Sequence, residues 1–122
     1  WGNPALTDLE LKSLYEKSRL TIIPLKDSLQ PSGQSVALQS MMVGTPVLIT
    51  KTSGLWDTTK LIDNENIFFL NENSLNFWID KIVSLYNNHD ELTLISKNST
   101  KTIVDFFSTE LFYENIKKLI KI

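Results

Sequence analysis

The stretch QPSGQSVALQSMMVGTPVLITKTSGLWD, residues 30–57, carries the pattern that decides the fold. A loop containing a proline and Gly33 leads into residues 36–42, which suit a helix. Gly44 ends that helix, and the proline two positions later prevents it from resuming. Residues 46–50 are then a short apolar run, typical of a strand buried on both faces. The stretch therefore predicts a loop, a helix, a buried strand and a polar loop, in that order.

The flanking sequence extends this pattern. A capping box predicts a helix over residues 8–17, and residues 20–25 have the composition of another buried parallel strand. Residues 67–70 are a third apolar run, and three helices should follow, the second capped by Asp90 and the third by Ser108. This order predicts an α/β fold, a parallel sheet flanked by helices. The first of the three late helices has an apolar stripe of Leu75, Trp78, Ile79, Ile82, Val83 and Tyr86.

Composition excludes several classes of protein. The 122 residues, 42% of them hydrophobic, suit one domain with its own core. The absence of cysteine excludes disulfides and thiolate metal sites, and the single histidine, His89, excludes any site that needs two. Mixed charges, 12 basic against 14 acidic, argue against nucleic-acid binding. No apolar run is long enough to span a membrane, and no signal peptide is visible.

A binding site is expected in the loops after the first two strands, residues 26–35 and 51–57, because ligands of parallel sheets lie at the carboxyl ends of strands. Gly33 lets the backbone approach a ligand closely. The helix start that follows offers unpaired amides and a favourable dipole to a diphosphate. Ser32 and Ser35 can add hydroxyl donors, although taken alone this loop also fits an ordinary helix N-cap beside a glycine turn.

In its longer context, the stretch resembles the signature region of retaining, family-four type GT-B glycosyltransferases. Three segments match in order: Gln39-Ser40-Met41-Met42 where the family has Glu-Ala-Met-Ala, Gly44-Thr45-Pro46-Val47 where it has Gly-x-Pro-Val, and Ser53-Gly54-Leu55-Trp56-Asp57 where it has Gly-Gly-x-x-Glu. The likeness continues through residues 11–25, residues 63–70 and the C-terminal helices. It implies that residues 1–122 are a single Rossmann-like nucleotide-sugar-binding domain, part of the C-terminal domain of a longer GT-B chain whose N-terminal acceptor domain is absent.

The resemblance also implies roles for individual residues. The helix-end amides of Gly33, Gln34 and Ser35 would hold the diphosphate, and Gln39 would hold the ribose. The full nucleotide-sugar-binding set is Ser32, Gly33, Gln34, Ser35, Gln39, Lys26 and Asp57. The resemblance assigns no catalytic residue, no metal and no cofactor, because the nucleotide-diphosphate sugar is itself the donor substrate.

The same resemblance implies partners and a location for the full-length protein. It would transfer a sugar, as a hexosyltransferase of cell-envelope polysaccharide biosynthesis, to a glycan or lipid-linked acceptor held by the missing domain. It would bind no nucleic acid. It would work in the cytoplasm or, through peripheral membrane association, at the inner face of the membrane. The fragment alone would be inactive.

Two positions depart from the family's pattern. The family has two glutamates eight positions apart, and the corresponding residues here are Pro31 and Gln39. Gln39 can still hydrogen-bond a ribose but carries no charge, and Pro31 offers no polar side chain. An alternative therefore stays open, a degenerate, non-catalytic GT-B-like module kept for assembly or regulation. A flavodoxin-like regulator is a further alternative, disfavoured because Asp27 and Asp57 match its acidic strand-end loops poorly.

Overall fold

A computed structural model describes residues 7–120, except for the side chains of residues 111–113, 115, 119 and 120. The strands form one parallel sheet in the order β1-β2-β3, which confirms the predicted α/β fold. The elements in chain order are α1 Asp8–Lys17, β1 Thr21–Ile23, α2 Gln34–Met42, β2 Val47–Thr50, β3 Phe68–Leu70, α3 Leu75–Tyr86, α4 His89–Phe106 and α5 Thr109–Ile120.

The sheet separates two apolar cores. Successive side chains of a strand point to opposite faces, so the central strand β2 contributes to both cores and is buried along its whole length. The first core, under α2, contains Ile23, Ala37, Met41, Val47, Ile49, Leu61, Ile67, Phe69 and Ile103. The second core, under α3, contains Leu48, Phe68, Leu70, Trp78, Leu85, Leu92 and Ile95. Helix α4 contributes to both of them.

The end of α2 confirms the prediction made from Gly44. This glycine has a φ of 86°, in the left-handed region that strains a residue with a side chain. Its amide donates to the Met41 carbonyl at 3.1 Å, and the Thr45 amide donates to the Ser40 carbonyl at 3.0 Å. This pair of bonds is the Schellman motif. It turns the chain directly into β2. The start of α2 therefore lies at the carboxyl ends of the strands.

Strand β1 differs from its prediction. Residues 20–25 suggested a strand buried on both faces, but β1 is confined to Thr21–Ile23 at an edge of the sheet. Ile23 is buried in the first core, whereas Ile22 on the opposite face remains 46% exposed. Apolar composition indicates that a strand can be buried, but burial also requires a neighbour on each side.

Two helices show smaller differences from expectation. Helix α4 begins at His89 and is capped by Asn88, whose side chain accepts from the Glu91 amide at 3.2 Å, so the predicted cap at Asp90 is wrong. In α3, Trp78 is buried as expected. Much of the remaining α3 stripe lies at the surface, namely Leu75, Ile79, Val83 and Tyr86.

Candidate functional site

The amino end of α2 lies at the carboxyl edge of the sheet and presents free backbone donors. Its N-cap is Gly33, with a φ of 73° and no side chain to accept from the first turn. The first helical bond runs from the Ala37 amide to the Gly33 carbonyl at 2.9 Å. Within residues 7–120, nothing accepts from the amides of Gln34, Ser35 and Val36. Such amides, together with the positive end of the helix dipole, favour an anion.

Close packing fixes this end of the helix against the strands. A Cβ added to Gly33 would lie 2.9 Å from Cγ2 of Ile23 and 3.4 Å from Cδ1 of Ile49. Both isoleucines belong to the first core. The free amides are therefore held by the sheet itself and are not carried on an independent loop.

The loop between β1 and α2 is joined to the loop between β2 and β3. The Asp27 carboxylate accepts from the Ser53 amide at 2.8 Å and from the Ser53 hydroxyl at 3.0 Å. These hydrogen bonds hold the pKa of Asp27 below its usual range. Beside this bridge, Gly54 packs directly on the backbone of Ser28 and Leu29. The two loops predicted to form the site therefore form one surface.

Asn73 joins the third strand-end loop to the same surface. Its amide nitrogen donates to the Leu25 carbonyl at 2.6 Å, and its amide oxygen accepts from the Thr50 hydroxyl at 3.0 Å. Thr50 in turn accepts from the Leu25 amide at 2.9 Å, and the Trp78 indole donates to Asn73 at 3.1 Å. The carboxyl ends of β1, β2 and β3 are thus cross-linked by side chains.

Three of the predicted loop residues, Ser32, Gln34 and Ser35, lie at the start of α2. Ser32, Gln34 and Ser35 are exposed, and no described residue hydrogen-bonds to their side chains. Lys26 is exposed in the loop between β1 and α2, three residues after β1 ends. It is the cation of this set, lines a groove on the α3 side of the sheet, and carries no ion pair within residues 7–120. This part of the predicted site therefore presents donors and one positive charge to solvent.

Gln39 lies one helical turn beyond Ser35, on the same face of α2. Its amide oxygen accepts from the Tyr15 hydroxyl at 3.3 Å. Burial raises the pKa of Tyr15, and its protonated hydroxyl is the donor of this bond. The Gln39 amide nitrogen, in contrast, has no partner among the described residues. A groove of about 640 Å³ opens beside this pair, lined by Asp8, Leu11, Lys12, Tyr15, Glu16, Gln39, Met42 and Val43.

Asp57 has a structural role in the loop between β2 and β3. One oxygen of its carboxylate accepts from the Thr59 amide at 2.7 Å, the Thr59 hydroxyl at 2.9 Å and the Lys60 amide at 2.8 Å. Burial alone would raise the pKa of Asp57, but these bonds and the Lys60 charge outweigh it and leave the pKa lowered. Asp57 therefore caps the turn at residues 58–60, and its contact with a donor stays a prediction.

A solved structure shares this arrangement of strands, helices and loops. It is the crystal structure of the C-terminal domain of a glycosyl transferase group 1 family protein, LpcC, from Francisella tularensis, which matches with a TM-score of 0.69 over 88% of this chain. The chain has the fold of a GT-B glycosyltransferase C-terminal domain. The sequence identity is 20%, and the chain spans 52% of the length of that structure. No family model and no curated protein matches the sequence.

Within this glycosyltransferase fold, the sequence did not predict the role of Asn73 or the hydrogen bonds of Asp27 to Ser53. The predicted site included the loops after β1 and β2 but not the loop after β3, where Asn73 lies. A polar amide three residues beyond a buried parallel strand is the signal that was available. Asp27 lies in the predicted loop of residues 26–35, but no local pattern links it to its partner Ser53, which is 26 positions away in the sequence.

Across residues 7–120, no group of three or more histidine, aspartate and glutamate side chains is arranged to hold a metal ion. Over the same range, no helix combines the length and the hydrophobicity that crossing a membrane requires.

Proposed function

We propose that this chain is the donor-binding part of a glycosyltransferase and that the amino end of α2 binds the diphosphate of a nucleotide sugar. The observation that carries the proposal is the set of free amides at Gln34, Ser35 and Val36, fixed at the carboxyl edge of the sheet by Gly33. A diphosphate fits such a site because it accepts from several amides and its charge opposes the helix dipole. Lys26 adds a cation to the same loop.

The face of α2 indicates how the rest of the donor would lie. With the diphosphate at Ser35, a nucleoside can follow the helix toward Gln39, whose amide nitrogen is free to donate to a ribose hydroxyl. Beyond Gln39 the groove between α1 and α2 has room for further nucleoside atoms. Asp57 would approach the sugar from the loop between β2 and β3.

The proposed chemistry is sugar transfer by the whole protein. The donor diphosphate leaves as its charge develops, and the amides of α2 together with Lys26 stabilise that charge. The acceptor, a glycan or lipid-linked sugar, would bind through a separate N-terminal domain at the cytoplasmic face of a membrane. No metal or other cofactor enters this proposal, because the amides at the start of α2 stabilise the charge of the leaving diphosphate.

One observation favours a second candidate, a non-catalytic module with the same fold. The positions where the family has glutamates are Pro31 and Gln39, and Gln39 already shares its oxygen with Tyr15. Such a module would still bind a nucleotide but would not turn over a nucleotide sugar. Turnover by the full-length protein decides between the two candidates.

A charge placed in the first turn of α2 tests the diphosphate site. Ser35→Glu puts a carboxylate among the free amides, where it suits the helix dipole but repels a diphosphate. We expect the variant to fold as well as the wild type and to bind UDP and GDP at least about tenfold more weakly, a difference of about 1.4 kcal/mol. Isothermal titration calorimetry measures both affinities.

His89→Glu is the matched control, since it adds the same charge to the exposed first residue of α4. Helix α3 runs from the carboxyl ends of the strands back toward their amino ends. Helix α4 therefore begins on the side of the sheet opposite the proposed diphosphate site. This variant should bind like the wild type. Equal affinities of the Ser35→Glu and His89→Glu variants for both nucleotides would contradict the assignment, as would a wild-type chain that binds neither nucleotide.

A further inference from the structure

Leu25, two residues after β1 ends, has both of its backbone hydrogen-bonding groups held by side chains. Its amide donates to the Thr50 hydroxyl at 2.9 Å, and its carbonyl accepts from the Asn73 amide nitrogen at 2.6 Å. The Thr50 hydroxyl donates to the Asn73 amide oxygen at 3.0 Å, which closes a ring of three hydrogen bonds. Thr50 is 4% exposed, so its hydroxyl is largely shielded from water. Leu25 is therefore fixed in place although it lies beyond the end of the strand.

A fourth hydrogen bond sets the orientation of the Asn73 amide. The Trp78 indole donates to Asn73 at 3.1 Å. Because an indole nitrogen can only donate, its partner must be the Asn73 oxygen, and the Asn73 nitrogen is left to face the Leu25 carbonyl. Trp78 belongs to the second core, whereas Asn73 itself is exposed. Asn73 is thus anchored to a core residue, and its replacement removes hydrogen bonds but little packing.

The side chain of Leu25 carries this restraint to the start of α2. It packs against the first core, the one beneath α2. Its Cδ1 atom lies 3.5 Å from the position that a Cβ on Gly33 would take, so it borders the N-cap of the helix. A chain of direct contacts therefore runs from Asn73 in the loop after β3, through Leu25, to the residue that precedes the free amides of α2.

We propose that Asn73 is a positioning residue of the diphosphate site and acts through Leu25 on Gly33 and the free amides behind it. Asn73 does not itself contact the nucleotide. Without its side chain, the Leu25 carbonyl is released to water and Leu25 no longer supports Gly33 in one position. The amides must then be ordered by the ligand, which lowers affinity because preorganised donors bind more tightly. The inference rests on the proposed function, and it gives the loop after β3 a part in that function.

Four variants of the chain separate this role from a general effect on stability. Asn73→Ala and Thr50→Val each remove one side-chain partner of Leu25, and Thr50→Ser keeps the hydroxyl and loses only a methyl group. Thr102→Val is the control for stability, since it removes a hydroxyl on α4 that makes two hydrogen bonds to other residues. Thermal unfolding is measured first, and binding is measured at a temperature where every variant is fully folded. Under that condition a loss of stability alone leaves the affinity unchanged.

We expect Asn73→Ala and Thr50→Val to bind UDP at least about threefold more weakly than the wild type, within the range usual for residues that link two parts of a structure. Thr50→Ser and Thr102→Val should bind like the wild type. Without nucleotide, Asn73→Ala should already shift the amide resonances of Gly33 and Gln34 in the ¹⁵N-labelled chain.

Unchanged UDP affinity of both Asn73→Ala and Thr50→Val would overturn the inference and leave the diphosphate site in place. Unchanged Gly33 and Gln34 resonances in nucleotide-free Asn73→Ala would also overturn it. So would equal weakening by Thr102→Val, because the effect would then not depend on Leu25. A wild-type chain that binds no UDP would overturn the proposed function together with the inference, so the two failures are distinguishable.

Discussion

Gly54→Ala is expected to destabilise the chain by about 3 kcal/mol, at the upper end of what overpacking costs. A Cβ on Gly54 would lie 2.5 Å from both the carbonyl carbon and the carbonyl oxygen of Leu29, and 2.6 Å from the Ser28 carbonyl oxygen. All of these are backbone atoms, so no side-chain rotation relieves the overlap. Urea unfolding followed by tryptophan fluorescence measures the change in the free energy of unfolding.

Ser53→Ala is the control for Gly54→Ala. It removes the hydroxyl bond to Asp27 but keeps the amide bond and adds no atom. We expect it to cost less than about 1 kcal/mol, since the exposed carboxylate can bond water instead. Equal stability of Gly54→Ala and Ser53→Ala would contradict the close packing of Gly54 on the Leu29 backbone.

Asn66→Ala is expected to cost about 3 kcal/mol, because it leaves several buried polar groups without partners. The Asn66 amide nitrogen donates to the Lys60 carbonyl at 2.7 Å and to the Thr102 hydroxyl at 2.8 Å. Its amide oxygen accepts from the Ile62 amide at 2.9 Å. Alanine satisfies none of these groups and also leaves a small cavity beneath α4. Thermal and urea unfolding both report the loss.

Thr102→Val tests the same network at one side chain. The substitution keeps the shape of the side chain and removes the hydroxyl that accepts from Asn66 and donates to the Asn98 carbonyl at 2.9 Å. We expect a loss of about 1–2 kcal/mol, the usual size for two hydrogen bonds. A loss for Asn66→Ala that does not exceed the loss for Thr102→Val would show that the network does not fasten α4 to the β3 edge.

The central part of the fold could be predicted from residues 30–57 because its signals are local. Gly44 needs only its own φ and the neighbouring carbonyls to end α2, and the apolar run after it forms β2 at the centre of the sheet. The exposure of Ile22 could not be predicted in this way. It follows from the position of β1 at an edge of the sheet, which the composition of the strand does not reveal.

The candidate site also contains some features that local sequence predicts and others that it does not. A glycine turn before α2 was expected from local sequence, but the helix begins at Gln34, two residues before the predicted residues 36–42, and Gly33 itself is its N-cap. The Asp27–Ser53 bridge and the contacts of Asn73 with Leu25 and Thr50 join distant parts of the chain, so no local pattern announces them. The prediction of Asp90 as the cap of α4 was wrong for a smaller reason, since Asn88, two positions earlier, is an equally good capping residue.

The most direct test of the central claim is a titration of the ¹⁵N-labelled chain with UDP and with GDP, followed by amide chemical shifts. We expect saturable shifts at the amides of Gly33, Gln34 and Ser35, and smaller shifts around Gln39. These amides are distinguishable from those of α5, so the same spectra contain an internal control. Shifts confined to α5, or the absence of shifts between Gly33 and Gln39 at saturating nucleotide, would contradict the assignment of a diphosphate site to the amino end of α2.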